Sequence, residues 1–171
     1  MNLRKFGNTS WQVSEIGYGM WGLAGWKGSI ESEYNKALDL SVEMGCNFFD
    51  TAWAYGSGVS EQVLASVIKR HPGKRLYAAT KIPPKNLQWP ARAEYKLEDV
   101  YPFEHIIEYT EKSLKNLQLE TIDLQQFHVW DDSWTDHEEW QNALEKLKKD
   151  GKVLNFGISV NRWEPNNCIK T

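Results

Sequence analysis

The sequence is poor in the features that define several large classes of protein. Its only cysteines are Cys46 and Cys168, too few for a disulfide framework, so we expect a reducing, cytoplasmic setting. The formal net charge is −3 and the lysines and arginines form no basic tract, which argues against nucleic acid or an anionic membrane as a partner. We find no apolar run long enough to span a membrane and no signal-peptide pattern at the N-terminus.

The histidine pattern gives no sign of a metal site. A metal-dependent barrel hydrolase usually carries a His-x-His pair on a strand, and the four histidines of this chain never form one. Asp131, Asp132 and His137 form a loose cluster, but acidic residues of this kind in a loop are usually solvated. We therefore predict that the chain holds no metal.

Apolar runs that end in a polar residue or a glycine recur along the chain at nearly constant intervals. Three of the four intervals between run ends are 31 residues (50 − 19, 81 − 50 and 159 − 128), and the other is 47 residues (128 − 81). The longer interval contains an extra loop, roughly Pro83 to Glu98. A strand–helix–strand unit takes about 30 residues. The run ends are Gly19, Asp50, Lys81, His128 and Ser159.

The segments between these run ends alternate between strand and helix patterns, which favours an α/β fold with a parallel sheet. A first strand ends at Gly19, and further strands are predicted at residues 46–50, 76–82, 122–128 and 153–159. Apolar residues at helical spacing predict helices at about 30–44, 60–70, 103–117 and 136–150. A short hairpin is predicted before the first unit, from Leu3 to Phe6 and from Gln12 to Ser14.

The repeat is typical of the wall of a (β/α) TIM barrel, in which catalytic groups gather at the C-terminal ends of the strands. A complete eight-unit barrel takes about 250 residues, whereas this chain of 171 residues has five predicted strands and four predicted helices. We therefore predict a single, incomplete barrel domain over residues 1–171, with about five of the eight units. Its first and fifth strands would be open edges that favour self-association.

Four chemically capable side chains fall at or just beyond consecutive strand ends. Asp50, Lys81 and His128 end three predicted strands, and Tyr55 lies in the loop after Asp50, where two glycines permit a tight backbone path. A tyrosine is a weak acid with a reference pKa of about 10, and a nearby ammonium group lowers that pKa. Together these residues could protonate an oxygen atom while another group delivers hydride to carbon.

Each of these residues also has a purely structural explanation. Asp50 could bond loop amides, Lys81 could be solvated, Tyr55 could pack within its loop, and His128 could be a hydrogen-bonded core residue. Their joint placement at consecutive strand ends is what favours a site. The tryptophans of the predicted strand-to-helix loops could line a pocket or pack at its rim: Trp21, Trp26, Trp53, Trp130 and Trp134.

The segment from Phe48 to Glu61, with the sequence FFDTAWAYGSGVSE, resembles the signature of the aldo-keto reductases. The resemblance covers almost the whole chain, and it implies a (β/α)8 barrel of cytosolic reductases that use NADPH, or sometimes NADH, without a Rossmann domain. Further matching motifs occur in the family's order at residues 19–23, 80–81, 122–128 and 151–159.

The resemblance implies a role in catalysis for four residues of this chain, with a small carbonyl compound as substrate. Tyr55 would be the general acid that protonates the carbonyl oxygen, and Lys81 would lower its pKa. Asp50 would be the partner of Lys81, and His128 would orient the carbonyl group.

The resemblance also implies contacts with the cofactor. Gly19, Met20 and Trp21 would approach the cofactor or the substrate from the first loop, and Ser159 would bond the nicotinamide carboxamide. Asp50 belongs to this cofactor-binding set as well as to the catalytic one.

Two alternatives stay open at this point. In the family, the later strands supply an aromatic platform for the nicotinamide and basic residues for the adenosine phosphates, and these 171 residues contain neither. The chain could therefore be an inactive barrel fragment. It could also be a non-catalytic, nucleotide-linked binding subunit, because some relatives of this fold serve as redox-linked subunits of membrane channels. The sequence does not indicate which carbonyl compound would be the substrate.

Overall fold

The structure is a computed structural model that describes residues 1–23, 30–161 and 166–171. The predicted hairpin, strands and long helices are all present, with ends within two residues of the predicted ones. The strands are β1 (Leu3–Lys5), β2 (Gln12–Ser14), β3 (Tyr18–Gly19), β4 (Phe48–Asp50), β5 (Tyr77–Ile82), β6 (Ile122–Phe127) and β7 (Val153–Ile158). The α-helices are α1 (Glu31–Glu43), α2 (Val59–Arg70), α3 (Leu97–Val100), α4 (Phe103–Leu117) and α5 (Glu138–Lys149).

The sequence patterns missed three short elements, because one turn of helix is too short to show a periodicity. Helix α3 lies at the end of the segment predicted to be an extra loop, and 3₁₀ turns form at Trp21–Leu23 and Asp132–Trp134. None of the described helices has the length and apolar character needed to cross a membrane.

Strands β3 to β7 form one parallel sheet in the order of the chain, as the strand–helix alternation predicts. Gly19 pairs with Asp50, Asp50 pairs with Ala79, and Lys81 pairs with Gln126. The C-terminal ends of β3 to β7 therefore lie at the same end of the sheet. Among the described residues, β3 and β7 each pair on one side only and are the edges of the sheet.

The two faces of the sheet are covered by different parts of the chain. On one face, Trp11 and Val13 of the β1–β2 hairpin pack with Tyr77, Ala79 and Leu124. The helices cover the other face with a larger apolar core that includes Leu38, Leu64, Ile106, Leu117 and Leu147. Along β5, the hairpin-side residues at 77, 79 and 81 alternate with the helix-side residues at 78, 80 and 82, as the period of two in a strand requires. Lys81 is therefore directed toward the inside of the incomplete barrel.

The end of α1 and the packing of the tryptophans complete the description of the fold. Gly45, just beyond the C-terminal end of α1, has a φ of +95°, a conformation that glycine adopts without strain. Trp130 and Trp134 are almost completely buried and pack edge to face in the core. Trp21 is 63 % exposed, and Trp26 lies outside the described residues.

Candidate active site

The parallel sheet brings the four predicted catalytic residues to its C-terminal end. Asp50 ends β4, Lys81 is the penultimate residue of β5, and His128 directly follows β6. The loop after β4 carries Tyr55 back over this end. Its first part extends the strand ladder, because the amide of Thr51 donates to the carbonyl of Ala79 at 2.8 Å.

The same loop turns sharply just after Tyr55. Gly56, Ser57 and Gly58 all have positive φ values, of 68°, 53° and 94°. Two of the three are glycines, which adopt this region without the steric strain of a side chain. The predicted tight backbone path is present, and it places the tyrosine ring beside the strand ends.

The ammonium group of Lys81 is the buried centre of the site. It donates hydrogen bonds to Oδ1 of Asp50 at 2.6 Å and to the carbonyl oxygen of Thr51 at 2.8 Å. The side chain of Lys81 is only 5 % exposed, whereas that of Asp50 is 42 % exposed. Burial lowers the pKa of Lys81, and the charge and hydrogen bond of Asp50 oppose that change. An ammonium group has three donors, so one remains for a further acceptor.

The ring of Tyr55 lies next to this ion pair. The Nζ atom of Lys81 is 5.2 Å from the centroid of the ring, close enough for a cation–π interaction. Burial raises the pKa of Tyr55 to about 12, and the carboxylate of Asp50 adds to the increase. The expectation that Lys81 lowers this pKa is therefore not met in the structure. The reason is that burial has removed water from the phenol and that the negative charge of Asp50 disfavours the phenolate. The phenol keeps its proton at neutral pH.

His128 also contacts the ring of Tyr55. The two rings meet edge to face, with centroids 5.6 Å apart and an angle of 77°. Burial lowers the pKa of His128 to about 4, and the positive charge of Lys81 acts in the same direction. The imidazole is therefore neutral at pH 7. Its Nδ1 atom is buried and has no hydrogen-bond partner in the described part of the chain.

A cavity of about 320 Å³ opens beside His128. Trp89, from the loop before α3, contacts His128 edge to face with ring centroids 5.9 Å apart. Most of the wall is apolar, so a small organic molecule could bind next to the imidazole. The cavity is lined by Trp89, Pro90, Ala91, His128, Val129, Trp130, Val160 and Asn161.

The residues predicted to approach a cofactor differ in how exposed they are to solvent. Gly19 and Trp21 are exposed at the end of β3, whereas the side chain of Met20 is fully buried. Met20 therefore holds the loop through its backbone and offers no side-chain surface to a ligand. Its amide donates to the carbonyl of Asp50 at 2.9 Å. Ser159 continues the β7 ladder through a 2.8 Å bond from its amide to the carbonyl of Phe127, and it is partly exposed.

Two residues of the site were not identified from the sequence. The carbonyl of Thr51 is an acceptor for Lys81, and no residue type signals a backbone contact of this kind. The side-chain amide of Gln126 lies 3.5 Å from Oδ1 of Asp50. Strand alternation could have found Gln126, because it lies two residues before His128 and so on the same face of the strand.

No group of three or more His, Cys, Asp or Glu side chains is placed to hold a metal ion within residues 1–23, 30–161 and 166–171. The strand ends bring together a protonated phenol, a buried ammonium paired with a partly exposed carboxylate, and a neutral imidazole. The imidazole also lines the apolar cavity.

Comparisons with known proteins agree with the family that the signature-like segment indicates. The sequence model of the aldo/keto reductase family matches residues 15–168. The aldo-keto reductase YhdN of Bacillus subtilis (strain 168) is 32 % identical over 163 residues, which cover 93 % of this chain and 47 % of YhdN. Probable aldo-keto reductase 1 of Glycine max is 31 % identical over 157 residues, which cover 91 % of this chain and 44 % of that protein.

Solved structures show the same relationship. The holo form of the aldo-keto reductase AKR11C1 from Bacillus halodurans superposes with a TM-score of 0.73 at 29 % identity, covering 95 % of this chain and 51 % of that one. The chain thus spans about half the length of the relatives it matches. The predicted fold, an incomplete parallel (β/α) barrel with a short N-terminal hairpin, is confirmed. The chain belongs to the aldo/keto reductase family.

Proposed function

We propose that this chain carries the catalytic residues of an NAD(P)H-dependent oxidoreductase that reduces aldehydes or ketones to alcohols. The observation that supports this most strongly is the position of Lys81, which bonds Asp50 at 2.6 Å and lies 5.2 Å from the centroid of the Tyr55 ring. The ring of His128 lies 5.6 Å from the same ring, centroid to centroid. Family membership makes carbonyl reduction the expected chemistry for such a group of residues.

Tyr55 is the general acid in this proposal. A carbonyl compound in the cavity beside His128 would bring its oxygen to the imidazole, whose ring centroid lies 5.6 Å from that of the Tyr55 ring. A neutral imidazole can donate one hydrogen bond to that oxygen, which orients the carbonyl group and polarises it. The phenol then gives its proton to the oxygen as negative charge develops there.

Lys81 is proposed to stabilise the phenolate that remains after this transfer. Its third N–H donor is available, and its charge lies against the tyrosine ring. The contribution of Lys81 is therefore larger after the proton has left than before. Burial and Asp50 raise the pKa of the free phenol to about 12, so the phenol still holds its proton when a carbonyl compound binds.

The cofactor of this proposal is NADPH, with NADH as the alternative, and when bound it supplies hydride to the carbonyl carbon. The described residues fit a nicotinamide at the open end of the sheet, since Gly19, Trp21 and Ser159 offer partly or fully exposed surface there. The Bacillus halodurans relative was solved in a holo form. We propose weak binding by this chain alone, because charged contacts to phosphate are among the stronger ones available and the predicted basic residues for the phosphates are not among its 171 residues.

An inactive, self-associating fragment is the second candidate, and the edges that β3 and β7 leave open among the described residues favour it. The free thiols of Cys46 and Cys168 suit a reducing compartment, and we place either form in the cytoplasm.

One experiment separates the two candidates. The purified chain is titrated with NADPH while quenching of its tryptophan fluorescence is followed, its mass is measured by light scattering, and NADPH oxidation is recorded with a test aldehyde. Aldehyde-dependent oxidation of NADPH, however slow, supports the reductase. Self-association with no turnover at saturating NADPH supports the fragment.

A further inference from the structure

Glu61 belongs to the signature-like segment but has no part in the chemistry proposed above. It lies in the first turn of α2, its side chain is completely buried, and burial raises the pKa of its carboxyl group. An apolar side chain would fill this space without the desolvation cost of a carboxylate. The position of this carboxylate therefore needs an explanation.

The two oxygens of Glu61 join three elements of the fold. Oε1 accepts a 2.6 Å hydrogen bond from the hydroxyl of Thr80, and Oε2 accepts a 2.8 Å hydrogen bond from the side-chain amide of Asn116 on α4. Thr80 directly precedes Lys81 on β5 and points to the opposite face of the strand. The carboxylate thus connects the start of α2 to the strand that carries Lys81.

Gly58 makes room for this arrangement at the end of the Tyr55 loop. A Cβ atom at this position would lie 2.2 Å from Nδ2 of Asn116, and the φ of +94° independently favours glycine. The loop therefore ends against the same amide that holds Glu61.

A second set of buried hydrogen bonds holds the start of the loop. The hydroxyl of Thr51 donates to that of Ser60 at 2.7 Å, and Ser60 donates to the carbonyl of Met20 at 3.1 Å. Thr51 also accepts from Lys81 through its carbonyl oxygen. The segment that carries Tyr55 is thus held at both ends by buried or partly buried polar contacts, and those of Glu61 fix its C-terminal end.

We propose that Glu61 is a positioning residue, whose carboxylate fixes the Tyr55 loop against the strand that carries Lys81. The inference rests on the proposed function for the role of Tyr55. Its test measures the ionisation of Tyr55 and requires no turnover. Failure of this proposal can therefore be distinguished from absence of reductase activity.

The test exchanges the two partners across the contact. Glu61→Gln places two amide donors against each other, and Asn116→Asp places two carboxylates against each other. The double variant Glu61→Gln/Asn116→Asp restores one donor and one acceptor, and the amide oxygen of the introduced glutamine would still accept from Thr80. Thr80→Val and Asn116→Ala each delete one donor and leave the carboxylate in place. These two variants provide the test if Glu61→Gln does not fold.

The readout is ionisation of Tyr55 at pH 10.5, followed by NMR of ¹³C-labelled tyrosine and assigned with Tyr55→Phe. A phenol with a pKa near 12 is about 3 % ionised at this pH, and one with the reference value of about 10 is about three-quarters ionised. We expect a several-fold rise in the ionised fraction in Glu61→Gln and in Asn116→Asp, because the loosened loop exposes the ring to water. The double variant should return to the wild-type fraction.

The matched control is Val67→Ala, which removes a fully buried apolar contact from the same helix. It should lower the urea midpoint of unfolding without changing the ionisation of Tyr55. The proposal is overturned if the ionised fraction of Tyr55 in Glu61→Gln is unchanged from wild type, as expected for this control. It is also overturned if the double variant does not recover the wild-type fraction. Unchanged ionisation in both Thr80→Val and Asn116→Ala would overturn it as well.

Discussion

The buried ammonium of Lys81 and the half-exposed carboxylate of Asp50 form an unequal pair, 2.6 Å apart. Water can solvate Asp50 if its partner is lost, but it cannot reach Lys81 in the same way. Removing the carboxylate should therefore be the more damaging change, because it leaves a buried charge without its counter-ion.

The inequality leads to a stability prediction. We expect Asp50→Asn to lower the free energy of unfolding at pH 7 by about 1–3 kcal/mol, and Lys81→Met to lower it less, since methionine fills the space without a charge. Urea unfolding of the two variants measures the difference. Glu15→Gln, which breaks an exposed ion pair with Arg4, is the control and should change stability by less than about 1 kcal/mol. A larger loss in Lys81→Met than in Asp50→Asn would contradict this account of the pair.

His128 should make stability depend on pH in the acid range. Its pKa is about 4 in the folded chain and about 6.5 when unfolded, so the unfolded state binds a proton first as the pH falls. The stabilisation from the neutral imidazole is complete above pH 6.5 and is lost between pH 6.5 and 4, a change of about 3 kcal/mol. We expect His128→Gln to flatten this part of the stability profile relative to wild type. His137→Gln, at an exposed histidine, should leave the profile unchanged, and equal profiles for wild type and His128→Gln would refute the prediction.

The N-terminal hairpin should contribute much of the stability of the sheet's inner face. Trp11 is buried against Tyr77, with ring centroids 5.0 Å apart. Trp11→Ala should cost about 3–5 kcal/mol, whereas Trp21→Ala, at a tryptophan that is 63 % exposed, should cost far less. Thermal unfolding followed by circular dichroism compares them. Similar melting temperatures for the two variants would show that the hairpin is dispensable.

The open edge of the sheet should control self-association. Leu154 lies on the edge strand β7 and is 47 % exposed. A charged residue on an edge strand discourages pairing with another chain, so we expect Leu154→Lys to reduce the mass measured by light scattering. Leu40→Lys removes a leucine of similar exposure from helix α1 and should not alter the mass. If both variants associate as the wild type does, the edge is not the contact surface.

The sequence was sufficient for the features that depend on local pattern. The intervals between Gly19, Asp50, Lys81, His128 and Ser159 predicted the strand ends, because a parallel sheet brings residues at equivalent positions of its units to one edge. The period of two and the period of 3.6 then located the elements.

The features that depend on tertiary packing could not be predicted in this way. The burial of Trp130 depends on its packing against Trp134 and the neighbouring rings. The pKa of Tyr55 was expected to be low from the presence of a lysine, but burial and the Asp50 carboxylate decide its direction. The contacts of Glu61 join residues 19 and 55 positions apart in the sequence, and no local pattern reports them.

The most direct test of the account compares Tyr55→Phe with wild type in the reduction of an aldehyde by NADPH. Phenylalanine keeps the ring beside Lys81 and His128 and removes only the proton that is proposed to be transferred. Tyr109→Phe, at a tyrosine on α4 that packs against Trp53 and His105, is the matched control. The account predicts that Tyr55→Phe lowers kcat by about 10²–10⁴-fold, while NADPH affinity and the activity of Tyr109→Phe stay near wild type. Turnover by Tyr55→Phe at close to the wild-type rate would contradict it.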